Sequence, residues 1–321
     1  MRPKVYITRR IPDQITAMIE NHCDVRMWHE KDTTVPREIL EREITDADGL
    51  FCLLTETIDA QLMEMGPRLK VISNMAVGYN NIDIEAANNK GILVTNTPGI
   101  LTETTADLTF ALLMATARRI TEASDYLRNG KWSTWSPMLL TGQDVHGATL
   151  GIIGMGRIGE AVAKRAKGFD MKILYHNRSR RSGVEENFGA MYVDLKSLLR
   201  ESDFVCVLVP FSKETVNLIG KEELALMKRT SILINTSRGG IVNETALNDA
   251  LVEGTIWAAG LDVFSQEPIA LDHPLLSLPN VVVLPHIGSA SVNTRLGMAQ
   301  LAAHNLCKAL LGEIPPNLVN K

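Results

Sequence analysis

Between Thr149 and Phe169 the chain reads TLGIIGMGRIGEAVAKRAKGF: an apolar strand, then Gly154-x-Gly156-x-x-Gly159, then a helical stretch. Each glycine has a mechanical task. Gly154 permits the tight turn, Gly156 lets the backbone approach a pyrophosphate, and Gly159 lets helix and strand pack closely, with the helix N-terminus facing the negative charge. In this strand-turn-helix context the motif predicts a βαβ unit and a bound dinucleotide.

The rest of the sequence agrees with that unit. Short β-branched runs (KVYIT, LKVIS, GILVTN, TLGIIG, KILYHN, FVCVLVP, SILINT, NVVVLP) alternate with amphipathic stretches, the pattern of an α/β fold with parallel sheets. Glu103 to about Leu127 reads as one long helix, with Thr102 as its cap and Ala106, Phe110, Leu113, Met114 and Ala117 at helical spacing. The polar stretch NGKWSTWSPMLLTGQDVHG that follows reads as a loop.

A chain of 321 residues can bury two cores. With 45% apolar and 22% charged residues it is a folded protein, and no apolar run is long enough to span a bilayer. A net charge of -4 gives no electrostatic reason to bind nucleic acid. The opening MRPKVYITRR lacks a signal-peptide pattern. Cys23, Cys52, Cys206 and Cys307 are scattered, without C-x-x-C spacing. A cytoplasmic protein without metal, membrane or nucleic-acid partner is therefore expected.

An NAD-selective site would place an acidic residue at the end of the strand after the glycine turn. Here KILYH ends in Asn177, followed by Arg178, Ser179, Arg180 and Arg181. A carboxylate there would repel a 2'-phosphate, whereas an amide, a hydroxyl and guanidinium groups can bind one. NADP(H) is expected to be preferred, with NAD(H) left open.

Three later segments end apolar strands in polar groups: INTSRGG, GLDVFSQEP and VVVLPHIGSA. In a doubly wound sheet the carboxyl ends of strands face the cofactor crevice, which predicts that Arg238, Glu267 and His286 converge. Reducing a keto acid needs a carboxylate anchor, a polarised carbonyl and a proton as hydride arrives. A guanidinium grips a carboxylate in a planar fork, and an imidazolium beside a carboxylate can donate the proton. Asp262 competes with Glu267 by charge alone. His22, His29, His146, His176, His273 and His304 are assigned no catalytic role.

These residues form a familiar set. Gly154-Met-Gly156-Arg157-Ile158-Gly159, Asn235-Thr236-Ser237-Arg238-Gly-Gly, Gly260-Leu-Asp262-Val-Phe, Glu267-Pro and Pro285-His286-Ile-Gly-Ser-Ala resemble the D-isomer-specific 2-hydroxyacid dehydrogenase family, most of all its glyoxylate/hydroxypyruvate reductases. Met75-Ala-Val-Gly-Tyr-Asn-Asn-Ile-Asp83 and Asn96-Thr-Pro-Gly99 extend the resemblance over nearly the whole chain. It implies a Rossmann-type, doubly wound NAD(P)-binding domain, residues 102–285, inserted in a flavodoxin-like α/β substrate domain, residues 1–101 and 286–321. It also implies Arg238, Glu267 and His286 as the catalytic set, which makes Asp262 secondary. Val77 and Gly78 become backbone contacts to the substrate carboxylate, with Arg238 and His286 also touching substrate, and Leu54 limits substrate size. Thr105, Pro210, Thr236, Ser237 and Asp262 join Gly154, Gly156, Arg157, Ile158, Gly159, Asn177, Arg178 and Ser179 around the cofactor. The activity implied is NAD(P)H-dependent reduction of glyoxylate or hydroxypyruvate to the D-2-hydroxy acid, by hydride transfer with a histidine proton donor. Two other readings stay open: a reductase of 2-ketogluconate or another sugar acid, and a dinucleotide-sensing interaction protein. A homodimer is implied as well, with Trp132 or Trp135 reaching the neighbouring active site.

Overall fold

The computed structural model describes residues 2–320. The chain divides into two compact units, one of Met1–Leu101 with Ala290–Lys321 and one of Thr102–Ser289. The strands and helices up to the first crossing are β1 (Lys4–Ile7), α1 (Asp13–Glu20), β2 (Asp24–Met27), α2 (Arg37–Ile44), β3 (Gly49–Cys52), α3 (Ala60–Met65), β4 (Val71–Asn74), α4 (Ile84–Asn89) and β5 (Leu93–Thr95). The second unit begins with α5 (Thr102–Ala117), α6 (Ile120–Arg128), β6 (Thr149–Ile153), α7 (Arg157–Lys167), β7 (Lys172–His176), α8 (Ser182–Phe188) and β8 (Met191–Tyr192). It continues through α9 (Leu195–Glu201), β9 (Phe204–Val207), α10 (Lys221–Leu226), β10 (Ile232–Asn235), α11 (Glu244–Val252), β11 (Ala258–Leu261) and β12 (Val281–Val283). The chain then returns to the first unit as α12 (Val292–Leu310).

The first unit is a parallel sheet in the order β2-β1-β3-β4-β5, the flavodoxin-like arrangement. Its central strand β3 is buried along its whole length, as a parallel strand covered on both faces must be. On one face lies α12. A β-carbon at Gly49 would stand only 3.0 Å from Leu306 Cδ1, so a residue without a side chain lets this helix settle onto the sheet. Ser73 Oγ fixes it there by donating to the Ala302 carbonyl at 2.8 Å.

The second unit is a parallel sheet in the order β12-β11-β10-β9-β6-β7-β8, the doubly wound Rossmann order with one further strand at the β12 edge. Gly260 in β11 lets α5 approach, since a β-carbon would fall 2.7 Å from Thr116 Oγ1 and 2.8 Å from Leu112 Cγ. Among the described residues no helix is long and apolar enough to cross a membrane.

Three expectations are corrected. The single helix from Glu103 to Leu127 is two helices, α5 and α6, broken at Arg119, which adopts a left-handed φ of 52°. The break has a cause in the loop that follows: Gln143 N–H donates to the Ala117 carbonyl at 2.8 Å, taking an acceptor that a continuing helix would use. Thr102 is the first residue of α5 rather than its cap. The boundary expected before His286 falls after Ser289, because Asp262 binds the backbone of residues 286–288 to the second unit.

Candidate active site

The glycine turn has the geometry its sequence demands. Gly154 has a φ of +103°, and a β-carbon there would sit 2.7 Å from the backbone of Leu208 and Val209. At Gly159 a β-carbon would lie 2.5 Å from the Gly154 carbonyl oxygen, so the start of α7 can press against the turn only as glycine. Gly156 differs. It is exposed, and a β-carbon there would meet no protein atom within 4 Å. Two of the glycines therefore serve packing within the protein, and the third leaves open the space before the N-terminus of α7. Arg157 and Ile158 form the first turn of that helix. Its unsatisfied N–H groups and positive dipole end suit a phosphate.

The next strand, β7, ends beside Asn177, whose Nδ2 donates to the Ser179 carbonyl at 3.1 Å. The arginines after it are not equivalent. Arg180 holds Glu185 in a two-pronged ion pair at 2.7 and 2.8 Å, and Arg181 is paired with Glu160. Glu185 also accepts the Tyr175 hydroxyl at 2.7 Å. With Arg180 as the main cause and Tyr175 second, its carboxyl is held below the usual range. Arg178 is exposed and makes no ion pair among the described residues.

Arg238, Glu267 and His286 come from the loops that follow the neighbouring strands β10, β11 and β12. His286 Nδ1 lies 2.6 Å from Glu267 Oε2, with their side chains 22% and 29% exposed. Glu267 Oε1 accepts the Phe264 N–H at 3.0 Å, which fixes the carboxylate at the head of its own turn. Burial pushes the Glu267 carboxyl upward and is the largest single influence. The hydrogen bond and charge of His286, the Phe264 N–H and the charge of Arg238 together outweigh it and hold the group below the ordinary glutamate range. Burial depresses the Arg238 guanidinium, while the charge of Glu267 acts in the opposite sense; the group stays cationic at any working pH. Arg238 Nη1 donates to the Ser237 carbonyl at 2.7 Å. Gly239 lets the Arg238 loop run against the Glu267 loop, since a β-carbon there would come within 1.8 Å of the Phe264 carbonyl group.

His286 itself is held in a left-handed backbone conformation, φ 54°, which costs a non-glycine residue on the order of 1–3 kcal/mol. Asp262 holds it there. Its carbonyl accepts the His286 N–H at 2.9 Å, and its two carboxylate oxygens accept the N–H groups of Ile287 and Gly288, each at 2.7 Å. The Asp262 side chain is fully buried, and burial raises its pKa against the pull of those N–H groups. The carboxylate beside the imidazole is thus Glu267, while Asp262 splints the histidine's loop from behind.

Other expected site residues are placed as follows. Thr236 is buried, with its hydroxyl 2.6 Å from that of Thr109, and Ser237 donates to Asn235 Oδ1 at 2.8 Å. Thr105 is buried in the first turns of α5, and the exposed Pro210 accepts the Thr215 hydroxyl at 2.9 Å. In the first unit, Leu54, Val77 and Gly78 are all half-buried loop residues.

Residues 110–288 match the sequence profile of the D-isomer specific 2-hydroxyacid dehydrogenase NAD binding domain. The chain belongs to this family. A curated glyoxylate reductase from Korarchaeum cryptofilum is 54% identical over 322 residues, covering 100% of this chain and 97% of the relative. A protein of Thermus thermophilus of known crystal structure is 44% identical, with a TM-score of 0.92 over 98% of this chain and 99% of its own. An NADPH-dependent glyoxylate/hydroxypyruvate reductase from Sinorhizobium meliloti, solved with NADP and malonate, is 33% identical, with a TM-score of 0.86 over 99% of this chain and 97% of its own. Family membership makes this an oxidoreductase that uses a nicotinamide dinucleotide, and the open space at Gly156 fits such a group.

One supporting pair escaped the sequence reading. Glu244 Oε1 accepts the Ser265 N–H at 2.5 Å, and His273 Nε2 stands 3.3 Å from the other oxygen of the same carboxylate. Together they fasten the turn that carries Glu267. Nothing in the local sequence of either residue announces this, because the contact joins α11 to a loop 21 residues further along.

Proposed function

We propose that the protein reduces small 2-keto acids, glyoxylate and hydroxypyruvate, to D-2-hydroxy acids with NADPH as the preferred reductant. The observation that carries this reading is the His286–Glu267 pair at 2.6 Å, set at the carboxyl end of the sheet beside the strand loop of Arg238. The bound reduced dinucleotide would supply the hydride to the carbonyl carbon. Arg238 grips the substrate carboxylate in its planar fork. His286, in contact with the Glu267 carboxylate, polarises the carbonyl and gives a proton to the oxygen as negative charge gathers there. Glu267, 2.6 Å from Nδ1, keeps the imidazole oriented until that moment. Val77 and Gly78 are assigned the substrate carboxylate through their backbone N–H groups, and Leu54 the limit on substrate size.

Asn177, Arg178 and Ser179 form the proposed 2'-phosphate site, with Gly154, Gly156, Arg157, Ile158 and Gly159 at the pyrophosphate. Thr105, Pro210, Thr236, Ser237 and Asp262 are proposed to line the rest of the cofactor, Asp262 through the loop it splints. Trp132 and Trp135, 56% and 75% exposed, support a homodimer in which one of them enters the neighbouring subunit's site; light scattering of the purified protein tests the oligomer. The reaction itself is tested by initial rates of NADPH and NADH oxidation with glyoxylate and hydroxypyruvate. Fast turnover with NADPH preferred supports the proposal, and tight NADPH binding without turnover of either acid overturns it.

A further inference from the structure

In the first unit, the loop after β4 carries consecutive carbonyl groups that are each tied down by a different donor. The Ala76 carbonyl accepts the Thr97 N–H at 2.9 Å, the Val77 carbonyl accepts Asn96 Nδ2 at 2.8 Å, and the Gly78 carbonyl accepts Asn74 Nδ2 at 2.9 Å. These peptides are trans, the cis bond of the described chain being Glu267-Pro268. In a trans peptide the C=O of one residue and the N–H of the next point in opposite directions. Pinning those carbonyls therefore aims the N–H groups of Val77, Gly78 and Tyr79 away from their clamps. None of these N–H groups has an acceptor among the described residues. A run of such N–H groups makes a concave site for an anion.

The clamps are themselves fixed. Asn74 is fully buried at the end of β4, and its Oδ1 accepts the Cys52 thiol at 3.8 Å. Asn96 follows β5; its N–H donates to the Asn317 carbonyl at 3.3 Å and its carbonyl accepts Asn305 Nδ2 at 3.0 Å. Asn305 is fully buried on α12. A side-chain amide suits this position because its NH₂ group can hold a carbonyl without carrying charge into a site meant for an anion.

We infer that Asn96 and Asn74 are positioning residues for substrate: by holding the Val77 and Gly78 carbonyls they preorganise a backbone carboxylate site that extends to the Tyr79 N–H. The inference rests on the reading of Val77 and Gly78 as substrate-carboxylate contacts. It assigns this chain a third N–H donor and gives the amide side chains a task in the KM for substrate.

The test uses oxamate, a carboxylate whose amide carbonyl does not accept hydride, with the full-length protein saturated with reduced dinucleotide. In the wild type, the backbone amide resonances of Val77, Gly78 and Tyr79 should shift on oxamate titration. Asn96→Ala and Asn96→Asp should weaken oxamate binding about tenfold, the equivalent of one hydrogen bond of about 1.4 kcal/mol, and raise the KM for glyoxylate in step, with dinucleotide affinity unchanged. Asn96→Gln, which keeps a donor, should recover part of the loss. Wild-type amides unmoved at saturating oxamate overturn the inference even if the variants do not fold. Glyoxylate turnover with oxamate affinity unchanged in Asn96→Ala overturns the clamp and leaves the proposed reaction standing. Shifted amides and weakened oxamate binding without any turnover support the clamp and overturn the reaction.

Discussion

Nδ1 of His286 stands 2.6 Å from Oε2 of Glu267, in a pair drawn from the loops after two adjacent strands. If that contact orients the imidazole for proton transfer, removing the negative charge that receives it must show in the rate. Glu267→Gln keeps the shape and a hydrogen-bonding atom but not the charge. Its reductive kcat should fall by about 10²-fold or more. Dinucleotide affinity, read by fluorescence, should hold. An unchanged kcat in Glu267→Gln would remove Glu267 from the proposed chemistry.

The same contact makes a statement about stability. The folded-state pKa of Glu267 is depressed, so the group stabilises the fold above its unfolded value of about 4.3 and loses that contribution as pH falls through the lower folded value. The gap in urea midpoint between wild type and Glu267→Gln should therefore be widest near neutrality and close as the pH drops below about 4.3. A gap that stays constant into acid would mean that the variant is destabilised by packing and not by charge.

How much of this could be read from the sequence depended on whether the signal was local. The glycine turn was legible because a positive φ at Gly154 and the close approach at Gly159 leave few alternatives to glycine. The strands most easily read are those buried on both faces, such as β10 and its run ILIN. The edge strand β2 was missed: its sequence DVRM carries Asp24 and Arg26 with no apolar run, and it is a strand because β1 offers it a partner. The helix break at Arg119 was illegible for the same reason, since the group that ends α5 is the N–H of Gln143. At the site, Glu267 and Asp262 had equal claims by charge. The family resemblance put Asp262 second, and the geometry shows that Glu267 faces the imidazole while Asp262 holds its loop.

The glycines make opposite predictions under one substitution. Gly159→Ala would put a carbon 2.5 Å from the Gly154 carbonyl oxygen and 3.3 Å from Ile152 Cγ2, overpacking worth about 1–3 kcal/mol, to be read from urea unfolding. Gly156→Ala meets no protein atom within 4 Å, and its φ of -88° is open to alanine. That variant should lose less than about 1 kcal/mol of stability, the scale of a changed helix cap. It should still bind NADPH at least about tenfold more weakly, a loss of about 1.4 kcal/mol, because the methyl group fills space assigned to the pyrophosphate. Unchanged NADPH affinity in Gly156→Ala would move the phosphate elsewhere.

Cofactor choice should depend unequally on the basic run after β7. Arg180 and Arg181 are committed to Glu185 and Glu160, so neutralising either should disturb the loop more than the preference. Arg178 is exposed and makes no ion pair among the described residues, which leaves it to meet a 2'-phosphate. Arg178→Ala should lower the NADPH to NADH ratio of kcat/KM about tenfold or more, whereas Arg180→Ala and Arg181→Ala should shift it by less than about threefold, a difference of charge-assisted hydrogen bonds worth roughly 1.5–3 kcal/mol. Asn177→Asp should lower the ratio further by setting a carboxylate against the phosphate while offering an acceptor to the ribose hydroxyls of NADH. Equal effects from all the arginines would mean that the run acts as a diffuse positive field, and the salt dependence of the ratio would then rise with it.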